Sequence, residues 1–398
     1  GLSAVPLYYI ARNKLKSSYY ALLIVIIYFL YSPVQHNNLF DFHTDHLLIL
    51  LMFLAFYFLE KKNALAFILV CLPALFLKEP LILNVAMLGL YAMISRKMYK
   101  SGSFVFMGSL FFFFIVVGII MPGASRTSYG AGFEGSFSYL GGDVFQIIKT
   151  LISDPWILIR EAMNVWKMGY IIFLFLPLLF VPFLCPFSLL PALPALIISL
   201  LSRLPTYYWI QNHHTASLIS PVFVSLIYGL SSFNNGSHYL NRWFKKFFSV
   251  NLNRNAMLRI SLWTILVVSL YYNVILSPSP ISVFFWKRIG SYSYYYKSSY
   301  VIKERDRVLD RAIKEFISEE ASVSSQGSVN TGYLAHRVEY YLFPDKIGEV
   351  DYVVLDKKRD HYAGDMIDEE RYSREFERLL DTYETVFSYD GIYIFKRK

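Results

Sequence analysis

The sequence predicts an α-helical polytopic membrane protein that ends in a small soluble α/β domain. Three observations carry this. The 398-residue chain is 55% hydrophobic and 18% aromatic but only 17% charged, where soluble domains are about a quarter charged. Its mean hydropathy is +0.40. Its apolar residues come in long blocks, close to the roughly 20 residues that a helix needs to cross the hydrocarbon core. At about residue 281 polar residues take over.

In chain order the blocks give about nine candidate spans: 17–34, 45–60, 63–78, 80–95, 103–121, 168–184, 187–203, 214–231 and 256–277. Pro186, Pro191 and Pro194 make 187–203 a candidate broken or re-entrant helix, because proline lacks the backbone donor and clashes with the preceding turn. The chain opens on Gly1 rather than Met, and "GLSAVPLYYIA" reads as the tail of an earlier span, so the natural chain is expected to begin earlier. No signal peptide is visible. Cys71 and Cys185 lie in apolar blocks and read as small core residues.

The formal net charge of +9 does not call for nucleic acid, since basic residues in cytoplasmic loops give the same excess. One set of alternate loops holds Arg12, Lys14 and Lys16, then Lys61 and Lys62, then Arg96, Lys97 and Lys100, then Arg242, Lys245, Lys246 and Arg254. The opposite short loops hold only Lys78. The positive-inside rule makes the first set cytoplasmic. The run "FDFHTDH" (40–46), Lys78-Glu79-Pro80, the loop 122–167 and "IQNHHTAS" (210–217) then share the outer face of a plasma membrane. Loop 122–167 opens Gly- and Ser-rich. It closes with apolar residues at helical spacing around Trp156 and Trp166, the pattern of one or two interfacial helices. The basic and aromatic stretch 237–255 reads as a surface helix on anionic lipid.

Residues 281–398 form the predicted extracytoplasmic α/β domain, set apart from the transmembrane domain 1–280. Val301, Val308, Leu309, Ala312, Ile313 and Phe316 mark one face of a helix. "VDYVVLD" (350–356) reads as a buried strand, "EERYSREFERLLDTY" (369–383) as a helix, and "TVFSYDGIYIFKRK" (385–398) as a hairpin turning at Asp390-Gly391. His336-Arg337 reads as a ligand contact or a surface pair.

Three stretches carry a resemblance: "FDFHTDHLLILLMFLAFYFLEKKNALAFILVCLPALFLKEP", "LLPALPALIISLLSRLPTYYWIQNHHTASLISPVFVSLIYGL" and "ASVSSQGSVNTGYLAHRVEYYLFP" with the following "VDYVVLD". Their order resembles an uncharacterised family of polytopic membrane proteins known only as a domain of unknown function. That family in turn resembles the GT-C membrane glycosyltransferases. The resemblance implies a GT-C-like fold and a polyprenyl-phosphate-linked sugar donor used on the outer face. It also implies a catalytic acid in the first outer loop, which by this alignment lies upstream of Gly1. Thr44 and His214 depart from the family pattern, which tends to Pro and Tyr there.

The candidate substrate-binding residues are Asp41, His43, Asp45, His46, Glu79, His213 and His214. His43 and His46 share a helix face by their spacing of three. One reading makes the run a helix start, with Thr44 as N-cap and Asp45 at the positive end of the dipole. The other makes it a polar site for a phosphate or for a divalent cation, Mg²⁺ or Mn²⁺, held by Asp41, His43 and His46; imidazoles alone would suit Zn²⁺. Lys78-Glu79-Pro80 serves as a tight turn or aims Glu79 at a cavity. Consecutive helical residues diverge by about 100°, so only one of His213 and His214 is expected to face a shared site. Tyr207, Tyr208, Trp209 and Gln211 have sugar-binding chemistry and equally suit an interfacial aromatic belt. No P-loop, dinucleotide fingerprint, HExxH or CxxC occurs. The alternative to a transferase is a non-catalytic polytopic protein, either a transporter or an envelope scaffold. Scarce mid-span charge speaks against the transporter.

Overall fold

The computed structural model describes residues 1–40, 43–121, 136–232, 254–286, 301–329, 333–334, 337, 339–358 and 369–398. The chain is mostly helical and divides into two compact units, Gly1–Lys297 and Ser298–Lys398.

The first unit is a helix bundle. Its helices are α1 (Ala4–Leu15), α2 (Ser18–Leu30), α3 (Ser32–Leu39), α4 (Asp45–Glu60), α5 (Ala64–Ala74), α6 (Glu79–Arg96) and α7 (Tyr99–Ile115). They are followed by α8 (Val144–Ser153), α9 (Trp156–Ala162), α10 (Val165–Phe175), α11 (Leu193–Leu201), α12 (Ala216–Ser232) and α13 (Arg254–Leu276). Helices α8 and α9 fall where the sequence puts interfacial helices; residues 122–135 and 233–253, with the basic stretch, lie outside the described residues.

Among the described residues three helical stretches are long and apolar enough to cross a bilayer: Tyr99–Ile120, His213–Ser232 and Asn255–Leu276. The pair α2–α3, bent by 55°, makes a fourth if counted as one span. This differs from about nine continuous spans, and proline accounts for much of the difference. Block 17–34 bends at Tyr31 because Pro33 starts a new helix. Block 168–184 stops being α-helical at Phe175, ahead of Pro177 and Pro182, and reverses through Leu179 and Phe180 at φ 52° and 55°. Block 187–203 starts as a 3₁₀ stretch, Pro186–Ala192, before α11. Broken helices leave carbonyls without a partner, which hydrocarbon cannot supply. Side chains supply some: the Asn84 amide donates to Pro191 O (2.7 Å), the Tyr31 hydroxyl to Leu174 O (2.7 Å) and the Ser269 hydroxyl to Pro177 O (3.0 Å).

Helix α12 is the axis of the bundle, with nearly every residue from Ala216 to Leu230 buried. Tyr99–Ile120 is its converse: Phe104, Met107, Phe111 and Ile119 are exposed, as suits a lipid-facing helix. Helices α6 and α7 touch at Gly89 and Gly102. A Cβ on Gly89 would stand 2.6 Å from Phe106 N and 2.8 Å from Gly102 O. Small residues there let two backbones meet, the packing that holds helices together in lipid.

The C-terminal ends of α1, α4 and α6 are joined by a half-buried ionic cluster. Glu60 takes Lys14 on one carboxylate oxygen (2.8 Å) and Arg96 with the Tyr228 hydroxyl on the other. The N-terminal ends of α4 and α6, on the order of 22 Å away along the axis, carry the candidate site.

The second unit is a mixed five-stranded sheet of order β2-β1-β3-β5-β4. Its strands are β1 (Val323–Ser325), β2 (Tyr340–Leu342), β3 (Tyr352–Asp356), β4 (Tyr383–Tyr389) and β5 (Ile392–Arg397). Strands β1–β2 and β1–β3 run parallel; β3–β5 and β4–β5 run antiparallel. Helices α14 (Glu304–Phe316) and α15 (Glu369–Thr382) complete it. The hairpin turns at Asp390 (φ 48°) and Gly391 (φ 87°), the two positive φ values of a type I′ turn. Leu309, Ala312 and Ile313 are buried as expected, whereas Val301 precedes the helix and is exposed. Arg337 is not a surface pair. It is buried and donates to Ile317 O (3.1 Å) and Ser318 O, closing the end of α14. His336 lies outside the described residues.

Candidate functional site

Three chain segments meet at the start of α4. The first is α4 itself. Thr44 is its N-cap by position, but its hydroxyl does not cap; it donates to Leu77 O at 2.9 Å. That bond corrects the capping reading and ties the turn before α6 to the start of α4. The second segment is this turn: Lys78 is extended (φ −167°) and Glu79 is the first residue of α6, with Pro80 next. The third is the 3₁₀ turn His213–Thr215, which leads into α12. It is anchored by the Asn37 amide, which donates to Thr215 Oγ1 at 2.6 Å and to Pro33 O at 2.8 Å. Lower down, the Ser220 hydroxyl donates to Ile49 O at 2.8 Å and fixes α12 against α4.

These anchors bring Asp45, Lys78, Glu79 and His214 to one crevice, which Leu81, Asn84, Ile198 and Ser217 also line. Asp45 is only 3% exposed and His213 9%. Lys78 Nζ stands 3.7 Å from Asp45 Oδ1, and His213 Nε2 stands 3.9 Å from Asp45 Oδ2. The His213 ring stacks on His43, with centroids 3.8 Å apart and planes within 4°. The His214 ring stacks on Tyr207 at 4.2 Å and lies 4.1 Å from His213. Both histidine rings therefore lie together beside Asp45, against the expectation that only one could face a shared site. They lie in a 3₁₀ turn that precedes the regular helix, where the 100° spacing of an α-helix does not apply. Tyr207 is part of this wall rather than only of a surface belt.

Asp45, His213 and His214 each offer one ligand atom within 4.8 Å of the others. The expected metal set was Asp41, His43 and His46. Asp41 lies outside the described residues. His43 and His46 neighbour the cluster, with ring centroids 6.3 Å apart, without belonging to the three-residue group. Among the described residues, Asp45 Oδ1, His46 Nε2 and both ring nitrogens of His213 are buried without a hydrogen-bond partner. Buried polar atoms without a hydrogen-bond partner are uncommon, and a water, an ion or a ligand can satisfy them. Asp45 and two imidazoles suit a divalent transition metal. Lys78 and the N-terminal ends of α4 and α6 suit an anion.

The sequence reading named neither His36 nor Asn37. His36 is buried and its Nε2–H donates to Leu276 O at 2.8 Å, locking α3 to the end of α13. The polar run Gln35-His36-Asn37-Asn38 inside an apolar block was the available signal.

No curated protein and no solved structure matches the chain. A family model does: the chain belongs to the family of predicted membrane proteins designated DUF2079, whose model matches residues 1–394.

Proposed function

We propose that the chain is a membrane glycosyltransferase of GT-C type that takes a polyprenyl-phosphate-linked sugar at the crevice of Asp45, Lys78, Glu79 and His214, with His213 beside Asp45. The observation that carries the reading is the meeting of cationic, acidic and imidazole groups at two helix N-termini in a crevice that Leu81, Ala195 and Ile198 also line. A lipid-linked donor has its tail in the bilayer and its phosphate at headgroup level. Its binding site therefore has to combine a polar rim with apolar walls below. Helix N-termini and Lys78 attract the phosphate. Two carboxylates beside a phosphate repel it unless a divalent cation intervenes, so the reading includes one.

In this reading Glu79, which has no ion pair among the described residues, takes the proton of the acceptor hydroxyl. The acceptor oxygen bonds to the anomeric carbon, the bond from that carbon to the phosphate oxygen breaks, and polyprenyl phosphate leaves. The basic-residue pattern supports a plasma-membrane protein of about nine crossings, some broken, with the crevice and residues 281–398 outside. Labelling of cysteines placed at Lys97 and Lys346 tests that topology: only the second should react from the outside.

The transfer test uses the chain in proteoliposomes with a panel of polyprenyl-phosphate sugars, following release of polyprenyl phosphate. Wild type should turn over at least one donor, and Glu79→Gln should be slower by about 100-fold, a usual general-base effect. If no donor is consumed, or if the variant keeps the wild-type rate, the transfer reading falls. A transporter or envelope scaffold then takes its place.

A further inference from the structure

We infer that Asp45, His213 and His214 form a resident site for one divalent transition-metal ion, with Zn²⁺ as the ion that fits best. The inference rests on the transfer reading only for the use to which the ion is put; the site itself stands on geometry. Three observations converge. The ligand atoms of the three side chains already lie within 4.8 Å of one another. A tetrahedral ion with bonds of about 2 Å needs its ligand atoms about 3.3 Å apart, so small side-chain rotations close the set. Next, the donor atoms are spare: Asp45 Oδ1 and both nitrogens of His213 are buried and unpartnered among the described residues. An ion pair between Asp45 and Lys78 alone would not explain the second of these.

Lastly, the rings are held in place before any ion binds. His213 stacks on His43, and His214 stacks on Tyr207. Two imidazoles and one carboxylate select Zn²⁺ or a close relative over Mg²⁺, which demands oxygen ligands and octahedral geometry. Three protein ligands leave a fourth position open, the arrangement of zinc sites that act on a substrate rather than hold a fold. The open position adjoins the crevice that Lys78 and Glu79 line, so a phosphate oxygen there would meet the metal and Lys78 together.

The test uses the whole chain in detergent, stripped with a chelator and titrated with Zn²⁺ alone. Expected is one Zn²⁺ per chain, retained against a large excess of Mg²⁺. Asp45→Asn, His213→Gln and His214→Gln should each weaken it by more than about 100-fold, beyond the loss usual for groups that only orient ligands. Where a variant does not fold, wild type loaded with Co²⁺ still decides the matter. Its visible spectrum and X-ray absorption should report two imidazoles and oxygen ligands. Absence of stoichiometric Zn²⁺, displacement of Zn²⁺ by equal Mg²⁺, or a metal shell without imidazole overturns the inference. Metal binding without sugar transfer leaves the site standing and removes only the transfer reading. Undiminished transfer by the stripped protein removes the ion from the reaction.

Discussion

The imidazole of His213 lies flat against that of His43, 3.8 Å between centroids and 4° between planes. The stack joins the loop before α4 to the turn before α12 and sets the ring of His213 so that Nε2 points to Asp45. In the proposed metal site His43 would act as a positioning residue for His213. His43→Ala should weaken Zn²⁺ binding by roughly tenfold, and His43→Phe, which keeps a flat ring, should restore most of it. A metal titration on both variants checks this. Equal affinity in wild type and His43→Ala would show that the stack does nothing for the site.

The far ends of the same helices make a second prediction. Glu60 holds Lys14 and Arg96 together with its side chain only 10% exposed. Removing the carboxylate leaves two cations facing each other in a low-dielectric setting. Glu60→Gln should cost about 1–3 kcal/mol, less than breaking a fully buried ion pair, because Lys14 and Arg96 are only half-buried. Glu60→Leu combined with Arg96→Met should cost less than Glu60→Leu alone, because one cation, Lys14, is then left without its carboxylate instead of two. Unfolding of each variant in detergent measures both. A double variant weaker than the single one by the full sum would show that the two residues do not interact.

Much of the site was legible in the sequence, because titratable residues at the mouth of an apolar block are costly and stand out. Asp45, Glu79 and His214 could be placed on one face from loop charges alone. What the sequence hid is what depends on backbone detail. The 3₁₀ turn at His213–Thr215 let both histidines reach one carboxylate, which an ideal helix forbids. Strands β1 and β2 are three residues each, too short for an alternation pattern to register. The hairpin was readable because Asp390-Gly391 is a local turn signal, needing no tertiary context. The bend at Tyr31 had its signal in Pro33, masked by the apolar run that precedes it.

Helix contact at Gly89 gives a matched pair of substitutions. A Cβ at Gly89 would stand 2.6 Å from the Phe106 backbone, whereas one at Gly108 meets nothing within 4 Å. Gly89→Val should lower the thermal midpoint in detergent by several degrees or prevent folding, as overpacking costs about 1–3 kcal/mol. Gly108→Val should leave it within a degree or so. Equal behaviour of the two would mean that α6 and α7 do not pack as described.

The C-terminal unit carries an acid-sensitive link. Asp351 accepts hydrogen bonds from the Ser322 hydroxyl (2.8 Å) and from the Ser322 backbone N–H (3.1 Å). These bonds, the hydroxyl first, hold its carboxyl below the usual carboxylate range. A carboxyl lowered by folding stabilises the fold fully above its unfolded value, about 3.9. That contribution is lost as pH falls through the lower folded value. Hydrogen exchange at the β1 and β3 amides should therefore be faster in Asp351→Asn than in wild type at neutral pH. The gap should close below about pH 4. A gap that widens on acidification would carry the wrong sign.

The central claim is that the crevice between α4, α6 and the His213–Thr215 turn receives a lipid-linked phosphate. Photolabelling tests it most directly, with a polyprenyl phosphate carrying a photoreactive group near its phosphate, on the full chain in nanodiscs. Expected are adducts on the peptides bearing Asp45, Glu79 and His214, competed by unlabelled polyprenyl phosphate and reduced in Lys78→Gln. Competed labelling confined to other helices, or labelling of these peptides that no competitor reduces, would contradict it.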